Sequence, residues 1–159
     1  MKAKFRGKIA FDDLKELEAA NIEIPHSNGW VVGSFIAPNL IVGDVADIDW
    51  DFFATEWWVK IIPETVGQYI GLKDVKGEMI FEGDIVKWDD RSDGRYWRFA
   101  VVGLDPDIQF NCKHLKQVDG VDNSTDRLFR FGNFIYKDTE SYLEIVSNIY
   151  DNPELLKDK

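Results

Sequence analysis

Short apolar runs separated by turn residues dominate the pattern along the chain, and few of them follow a helical period. Residues 30–37 are β-branched and aromatic, end at Pro38-Asn39, and are followed by a second apolar run at 40–42. Residues 66–72 and 85–88 have the same character. Runs of about four to eight such residues, bounded by Gly, Pro, Asn or Asp, are typical of β-strands. The pattern therefore predicts a mainly β, β-rich α+β chain.

The middle third has the clearest turns. Asp74-Val75-Lys76-Gly77 has the residues that a type I turn prefers at its first and last positions. A second tight turn follows at 82–84, where the Asp84 side chain can accept hydrogen bonds from the turn backbone. Residues 89–94 predict a polar hairpin loop between strands at 85–88 and 96–104. Because parallel strands need long crossovers, we expect an antiparallel sheet or a partly open barrel made of short hairpins.

Residues 11–21 change to a helical period. One face carries the apolar side chains Phe11, Leu14, Leu17 and Ala20. Asp13 followed by Glu16 approximates a capping box, and Asn21 suits the left-handed residue that ends a helix. We expect an N-terminal surface helix that covers part of a sheet; the alternative is a partner-binding helix.

Alternation predicts a strand over 47–52. It places three carboxylates on one face and three large apolar side chains on the other: Asp47, Asp49 and Asp51 against Ile48, Trp50 and Phe52. The acidic triplet fails the calcium-loop template, which wants Gly and Glu where Phe52 and Trp58 stand. We therefore expect an acidic solvent face; the alternative is a weak site for a divalent cation, should the two faces be arranged differently. A further short strand at 57–62 should end at Pro63.

The C-terminal third is less uniform. Residues 105–126 predict one short strand or helical turn around 108–118 and a subdomain boundary; residues 128–136 are strand-like. Leu143, Ile145 and Ile149 should share one strand face. Asn152 before Pro153 predicts an N-cap and the start of a short C-terminal helix.

Length, charge and composition restrict the number of domains and the cellular compartment. The chain has 159 residues, 45% of them hydrophobic, and a formal charge of −10, so we expect a single domain over 1–159 with its own core. The negative charge opposes a general role in binding nucleic acid. The single cysteine, Cys112, excludes an internal disulfide and fits a reducing cytosol. No apolar run approaches the ~20 residues of a spanning helix, so we expect a soluble cytoplasmic protein without membrane contact.

Catalytic chemistry has few candidates. The chain contains no phosphate-binding loop and no Gly-x-Ser-x-Gly motif, and its histidines are His26 and His114. His114 lies two residues from Cys112, as two metal ligands on one strand face could, but zinc needs about four ligands and no other cysteine exists. We expect an ordinary buried thiol beside a surface imidazole. The prediction is a protein that is not an enzyme, with no catalytic residues, cofactor or metal.

The aromatic content is more informative. Six tryptophans are spread over the predicted strands, and such residues fill cores or form interface hot spots. Trp97 has Arg95, Tyr96 and Arg98 beside it, and arginine with exposed aromatics can stack on bases. The net charge opposes that reading, so we expect core or interface packing.

Five segments in order resemble the YopX family of proteins encoded by phages and prophages of Gram-positive bacteria: 4–8, 29–33, 63–74, 82–86 and 148–156. The resemblance implies a mainly β fold, a phage or mobile-element origin and self-association. It supplies no reaction and no catalytic residues. Two segments depart from the family pattern: residues 9–28, which contain the predicted helix, and residues 105–135.

Four functions stay open. The favoured one is a non-enzymatic domain that binds itself or a protein of its bacterial host. An acidic decoy for a host nucleic-acid enzyme would need regularly spaced rows of negative charge. A barrel that binds single-stranded nucleic acid would need exposed aromatics on a curved sheet. A hydrolase would need a pocket that gathers carboxylates around His114.

Overall fold

The computed structural model describes residues 3–89, 97–104, 107–112, 115–116, 118, 128–130, 140 and 142–157. Contacts divide the chain into two compact units, Met1–Gln68 and Tyr69–Lys159. The predicted boundary near 105–126 stays a prediction, since much of that range lies outside the described residues. Among the described helices, none has the length and apolar character needed to cross a membrane.

The strands are β1 Phe5–Lys8, β2 Trp30–Ile36, β3 Leu40–Val42, β4 Val45–Ile48, β5 Phe53–Thr55, β6 Trp58–Lys60, β7 Ile62–Lys73, β8 Met79–Phe81, β9 Asp84–Asp89, β10 Trp97–Gly103, β11 Gln109–Asn111, β12 Leu128–Arg130 and β13 Glu144–Asn148. Helix α1 spans Phe11–Ala19, and a 3-10 helix spans Pro153–Leu155. The strand pairings are antiparallel. The predicted mainly β antiparallel fold is confirmed; within the described ranges the sheets do not close into a barrel.

The first unit is a sheet with the order β6-β3-β2-β1-β7. Its buried face carries branched apolar side chains: Ile9, Val31, Ile41, Val59 and Ile61. Leu14 and Leu17 of α1 pack against this cluster, as predicted for a helix that covers a sheet. Full burial stabilises the fold by roughly 1.5–3 kcal/mol for each such side chain.

The N-terminus of α1 differs from the prediction, whereas its C-terminus agrees with it. The predicted capping box is wrong, because Ala10 occupies the N-cap and no side chain caps it. Asp12 and Asp13 instead lie in the first turn, where a negative charge complements the helix dipole. The predicted stop is confirmed, since Asn21 has a φ of 55°. Its left-handed backbone lets the Ile22 N–H donate to the Leu17 carbonyl at 2.9 Å.

Pro63 does not end a strand, contrary to prediction. β7 runs through it because the β1–β7 register is irregular at this point. Here the Lys8 N–H donates to Thr65 Oγ1 at 2.9 Å, and the Thr65 hydroxyl donates to the Ile62 carbonyl at 2.6 Å. The Thr65 hydroxyl thus takes the place of a backbone acceptor for the Lys8 N–H, and a bulge of this kind is a place where a strand tolerates proline.

The second unit contains a sheet with the order β12-β11-β10-β9-β13, and the last residues of β7 pair with β8 beside it. Trp88 is fully buried in its main core. The Trp88 ring meets Phe110 and Phe129 edge to face, with centroids 6.3 and 5.3 Å away. Such pairs add about 0.5–1.5 kcal/mol to the stabilisation from burial. The predicted loop residues 90–94 and strand residues 131–136 lie outside the described part of the chain.

Asp74 ties the β7–β8 turn to β13. Its buried carboxylate accepts the N–H groups of Lys76 and Glu78 at 2.9 Å on Oδ1, and that of Ile145 at 3.0 Å on Oδ2. The predicted 74–77 turn is confirmed by the bond from the Gly77 N–H to the Asp74 carbonyl. The second predicted turn is confirmed as well, since Asp84 Oδ2 accepts the Phe81 N–H at 2.8 Å. The Asp74 side chain therefore holds both the 74–77 turn and β13, a strand far along the sequence.

β13 does not present one apolar face. Leu143 and Ile145 pack in the core of Trp88, whereas Ile149 packs with a separate cluster that contains Ile85 and Leu115. The predicted common face is wrong because the register of β13 on β9 shifts between Ile145 and Ser147. A bulge of this kind bends the strand and changes the side to which later residues point.

Asn152 occupies the N-cap position of the terminal helix, as predicted, but its side chain makes no capping hydrogen bond. Ser147 Oγ donates to the Asn152 side-chain oxygen, which is the atom that a cap would use. The Asn152 amide donates to Glu154 Oε1 at 3.0 Å, and this bond lowers the pKa of the Glu154 carboxyl. Pro153 begins the helix, as predicted, but the helix is a single 3-10 turn.

Asp74→Ala should lower the free energy of unfolding by about 3 kcal/mol, because three N–H groups lose a charged acceptor. Asp74→Asn should cost less, about 1–2 kcal/mol, since its oxygen can keep the Lys76 and Glu78 bonds. Urea unfolding measures both. The exposed Asp47→Ala control should stay within about 0.5 kcal/mol of wild type. Equal stability of all four proteins would contradict this role of Asp74.

Gly33→Ala should destabilise the first unit by about 2 kcal/mol or more. A Cβ at Gly33 would lie 2.2 Å from the Val42 carbonyl oxygen, so β2 and β3 would have to separate. The exposed neighbour Ser34→Ala is the matched control and should be nearly neutral. Thermal unfolding of the two variants decides the matter; a Gly33→Ala protein as stable as the control would show that the strands tolerate separation.

Candidate functional site

A two-stranded hairpin, β4–β5, stands apart from the main sheet of the first unit. Ile48 pairs with Phe53, and the Asp49 N–H donates to the Phe52 carbonyl at 2.9 Å. Asp49 Oδ1 accepts the Trp50 N–H at 2.7 Å. Residues 49–52 therefore form the turn. The predicted strand over 47–52 is wrong because the Asp49 side chain offers the backbone a local bond in place of a ladder bond.

Five large apolar side chains of this hairpin are exposed: Val45, Ile48, Trp50, Phe52 and Phe53. We call them the apolar hairpin surface. Trp50 is 102% exposed, Ile48 72% and Phe53 61%. Alternation predicted Ile48, Trp50 and Phe52 on the face opposite an acidic solvent face, but these three side chains are exposed as well as the three carboxylates. Large exposed patches of apolar side chains are typical of interaction sites, which makes this surface the candidate site of the first unit.

A groove lies next to this hairpin, along the outer edge of β6. Its volume is about 710 Å³, and it is lined by α1, residues 22–24 and residues 55–60. Its apolar lining comprises Leu17, Ala20, Ile22, Ile24, Trp57, Trp58 and Val59. We call it the edge groove. A hollow of about 460 Å³ between β3, β5 and β6 shares Thr55 and Trp58 with it. Thr55 and Trp58 therefore line both the edge groove and this hollow, and Phe53 of the apolar hairpin surface lines the hollow.

β6 presents an unpaired edge to this groove. It comes last in the sheet order of the first unit, as far as the described residues go. The Ile61 N–H donates to the Asn39 carbonyl, and Trp57 O accepts the Gly43 N–H, both at 2.9 Å. Backbone groups alternate in direction along an antiparallel strand, so those of Trp58 and Lys60 point away from β3.

Acidic side chains surround both features. Asp47, Asp49 and Asp51 of the hairpin are exposed. The edge groove is lined by four carboxylates and one ammonium group: Asp13, Glu16, Glu23 and Glu56 against Lys60. Within the described ranges, no group of three or more His, Cys, Asp and Glu side chains is arranged to hold a metal ion. The lining of the edge groove and the hairpin therefore carry an excess of negative charge.

The remaining candidate residues are dispersed. His26 Nδ1 accepts the Gly29 N–H at 3.0 Å, which gives this imidazole a structural role in the turn before β2. Cys112 is buried, as predicted, whereas His114 lies outside the described residues.

The aromatic and cationic groups around Trp97 contact one another. Lys87 Nζ lies 5.0 Å from the centre of the Trp97 ring, and the Arg98 guanidinium lies 5.2 Å from that of Phe129. Arg95 and Tyr96 lie outside the described residues. The aromatic and cationic groups that are described here are already engaged with one another.

Comparisons with known proteins give the family. The YopX protein family matches residues 44–157, which include the hairpin, β6 and the described second unit but not α1. Of the resembling segments, 63–74, 82–86 and 148–156 lie inside this range. The crystal structure of protein EF1440 from Enterococcus faecalis is similar at 21% identity and a TM-score of 0.49, over 99% of each chain. No curated protein matches. The chain belongs to the YopX protein family.

Proposed function

We propose that this chain is a non-enzymatic protein-binding domain that contacts its partner through the apolar hairpin surface. The exposure of Trp50 at the tip of the hairpin carries the proposal. Tryptophan is the residue most typical of interface hot spots, because it buries a large rigid area at a small entropy cost. A two-stranded hairpin is marginally stable alone in water, and a bound partner would stabilise it.

The energy of this surface favours a transient complex. Burial of a large apolar side chain contributes roughly 1.5–3 kcal/mol, and five such side chains are present on the hairpin. Association itself costs an estimated 4–15 kcal/mol. The two quantities are comparable, so a tight complex needs further contacts beyond the hairpin.

Charge favours a different protein over a second copy. A symmetric contact between two hairpins would bring Asp47, Asp49 and Asp51 of both copies together, on chains with a formal charge of −10. Like charges across an interface oppose association. The partner is therefore a protein with an apolar pocket and a basic rim, and self-association is the competing outcome.

The setting of this interaction is part of the proposal. The single cysteine supports a reducing compartment as the location of the protein. The resemblance to phage and prophage proteins supports a bacterial host as the cell in which the interaction occurs. A nucleic-acid decoy is less well supported, because Asp49 and Asp51 lie in a turn and form no straight row with Asp47.

Trp50→Ala should weaken partner binding by about 30-fold, the effect of losing a hot spot, while the thermal unfolding midpoint stays unchanged. Proteins captured from a Gram-positive lysate by the wild-type chain are identified by mass, purified, and titrated by calorimetry. The matched control is Phe11→Ala, which removes an exposed aromatic ring from α1 and should bind as wild type.

Two outcomes would contradict the proposal. One is that no captured protein depends on Trp50. The other is a dimer in analytical ultracentrifugation that dissociates with Trp50→Ala, which would assign the surface to a second copy.

A further inference from the structure

We infer that the edge groove binds an extended, basic segment of a partner protein, which adds as a strand to β6. The inference deepens the proposed function and rests on it, because it supplies the contacts that the hairpin lacks. It uses a different set of atoms, so each surface can be tested while the other is intact.

The backbone of β6 provides the recognition. The N–H and C=O groups of Trp58 and Lys60 point away from β3, and both residues line the edge groove. Strand addition satisfies such groups with the main chain of the incoming segment, whatever its sequence. The incoming chain would lie about 4.8 Å from β6, the ordinary distance between neighbouring strands.

The groove has room for that chain and a surface to hold it. At about 710 Å³ its volume lies within the range of sites that enclose ligands. Leu17 and Ala20 of α1 and the segment 22–24 line it together with residues 55–60. Alternate side chains of an added strand would point into this apolar lining, so every second residue of the segment should be apolar.

The charges select which strand binds. Carboxylates outnumber the ammonium group in the lining by four to one, and none of the four is in an ion pair within the described part of the chain. Lys60 on an edge strand is a common guard against unwanted pairing, and the carboxylates outweigh it. A second copy would bring four more carboxylates to the same edge. The occupant is therefore a segment with alternating Lys or Arg and apolar residues.

The test uses a fluorescent hexapeptide of alternating lysine and valine, titrated into the full chain by anisotropy. Two peptides of equal length serve as controls: one alternates glutamate and valine, and the other alternates lysine and glycine. We expect the lysine–valine peptide to bind more tightly than either control peptide. Its affinity should fall at least tenfold between about 20 and 200 mM salt. Binding that ignores the sign of charge, or binding of the lysine–glycine peptide with equal affinity, would overturn the inference.

Amide exchange of the wild-type chain locates the peptide. Binding should slow exchange at the N–H groups of Trp58 and Lys60 by at least tenfold, since these become ladder bonds. If the chain is saturated with peptide and exchange at Trp58 and Lys60 does not slow, the peptide binds through surface charge only. This result would overturn the inference. Protection that rises with protein concentration in the absence of peptide would assign the edge to a second copy, which also overturns it.

Variants separate this inference from the proposed function. Lys60→Pro removes one outward N–H and leaves the bonds to β3, because proline is accepted at the outer side of an edge strand. Glu16→Gln with Glu56→Gln removes two charges without changing shape. Both variants should weaken peptide binding by tenfold or more, and Trp50→Ala should leave peptide binding unchanged. If Trp50→Ala abolishes peptide binding and the β6 and groove variants do not, strand addition at β6 is overturned. If partner binding requires Trp50 but is unaffected by the β6 and groove variants, only the proposed function is supported and this inference is overturned.

Discussion

The close contact between β2 and β3 positions every feature that we associate with binding. Gly33 faces the Val42 carbonyl so closely that no side chain fits between them. β3 lies against β2 at this point, β6 pairs with β3, and the β4–β5 hairpin occupies the chain between those two strands. The β6 edge and the hairpin are thus both connected to the sheet through β3, the strand whose close approach to β2 leaves no room for a side chain at Gly33.

The parts of the fold that local chemistry controls could be predicted from the sequence. Asp74, Gly77 and Asp84 formed the turns expected of them, and Asn21 ended α1 in the left-handed conformation. Each of these outcomes depends on a side chain and a backbone only a few residues away. Antiparallel pairing followed from the shortness of the connections.

Features that depend on distant partners could not be predicted. Pro63 lies in β7 at a bulge where Thr65 Oγ1 accepts the Lys8 N–H of another strand, and the Asn152 side-chain oxygen accepts from Ser147 and makes no capping bond. The hairpin is the most instructive case. Alternation over 47–52 indicates a strand with one covered face, but periodicity carries no information on whether a covering layer exists. The Asp residues at 49 and 51 were a turn signal that alternation obscured.

The central claim is that Trp50 and Phe53 are uncovered in the free protein. Hydroxyl-radical footprinting, read by mass spectrometry, measures this directly. The account predicts fast oxidation of Trp50 and Phe53 at every protein concentration, with Trp88 oxidised far more slowly as an internal reference for burial. Protection of Trp50 to the level of Trp88 in the free monomer would contradict it, because the chain itself would then cover the hairpin.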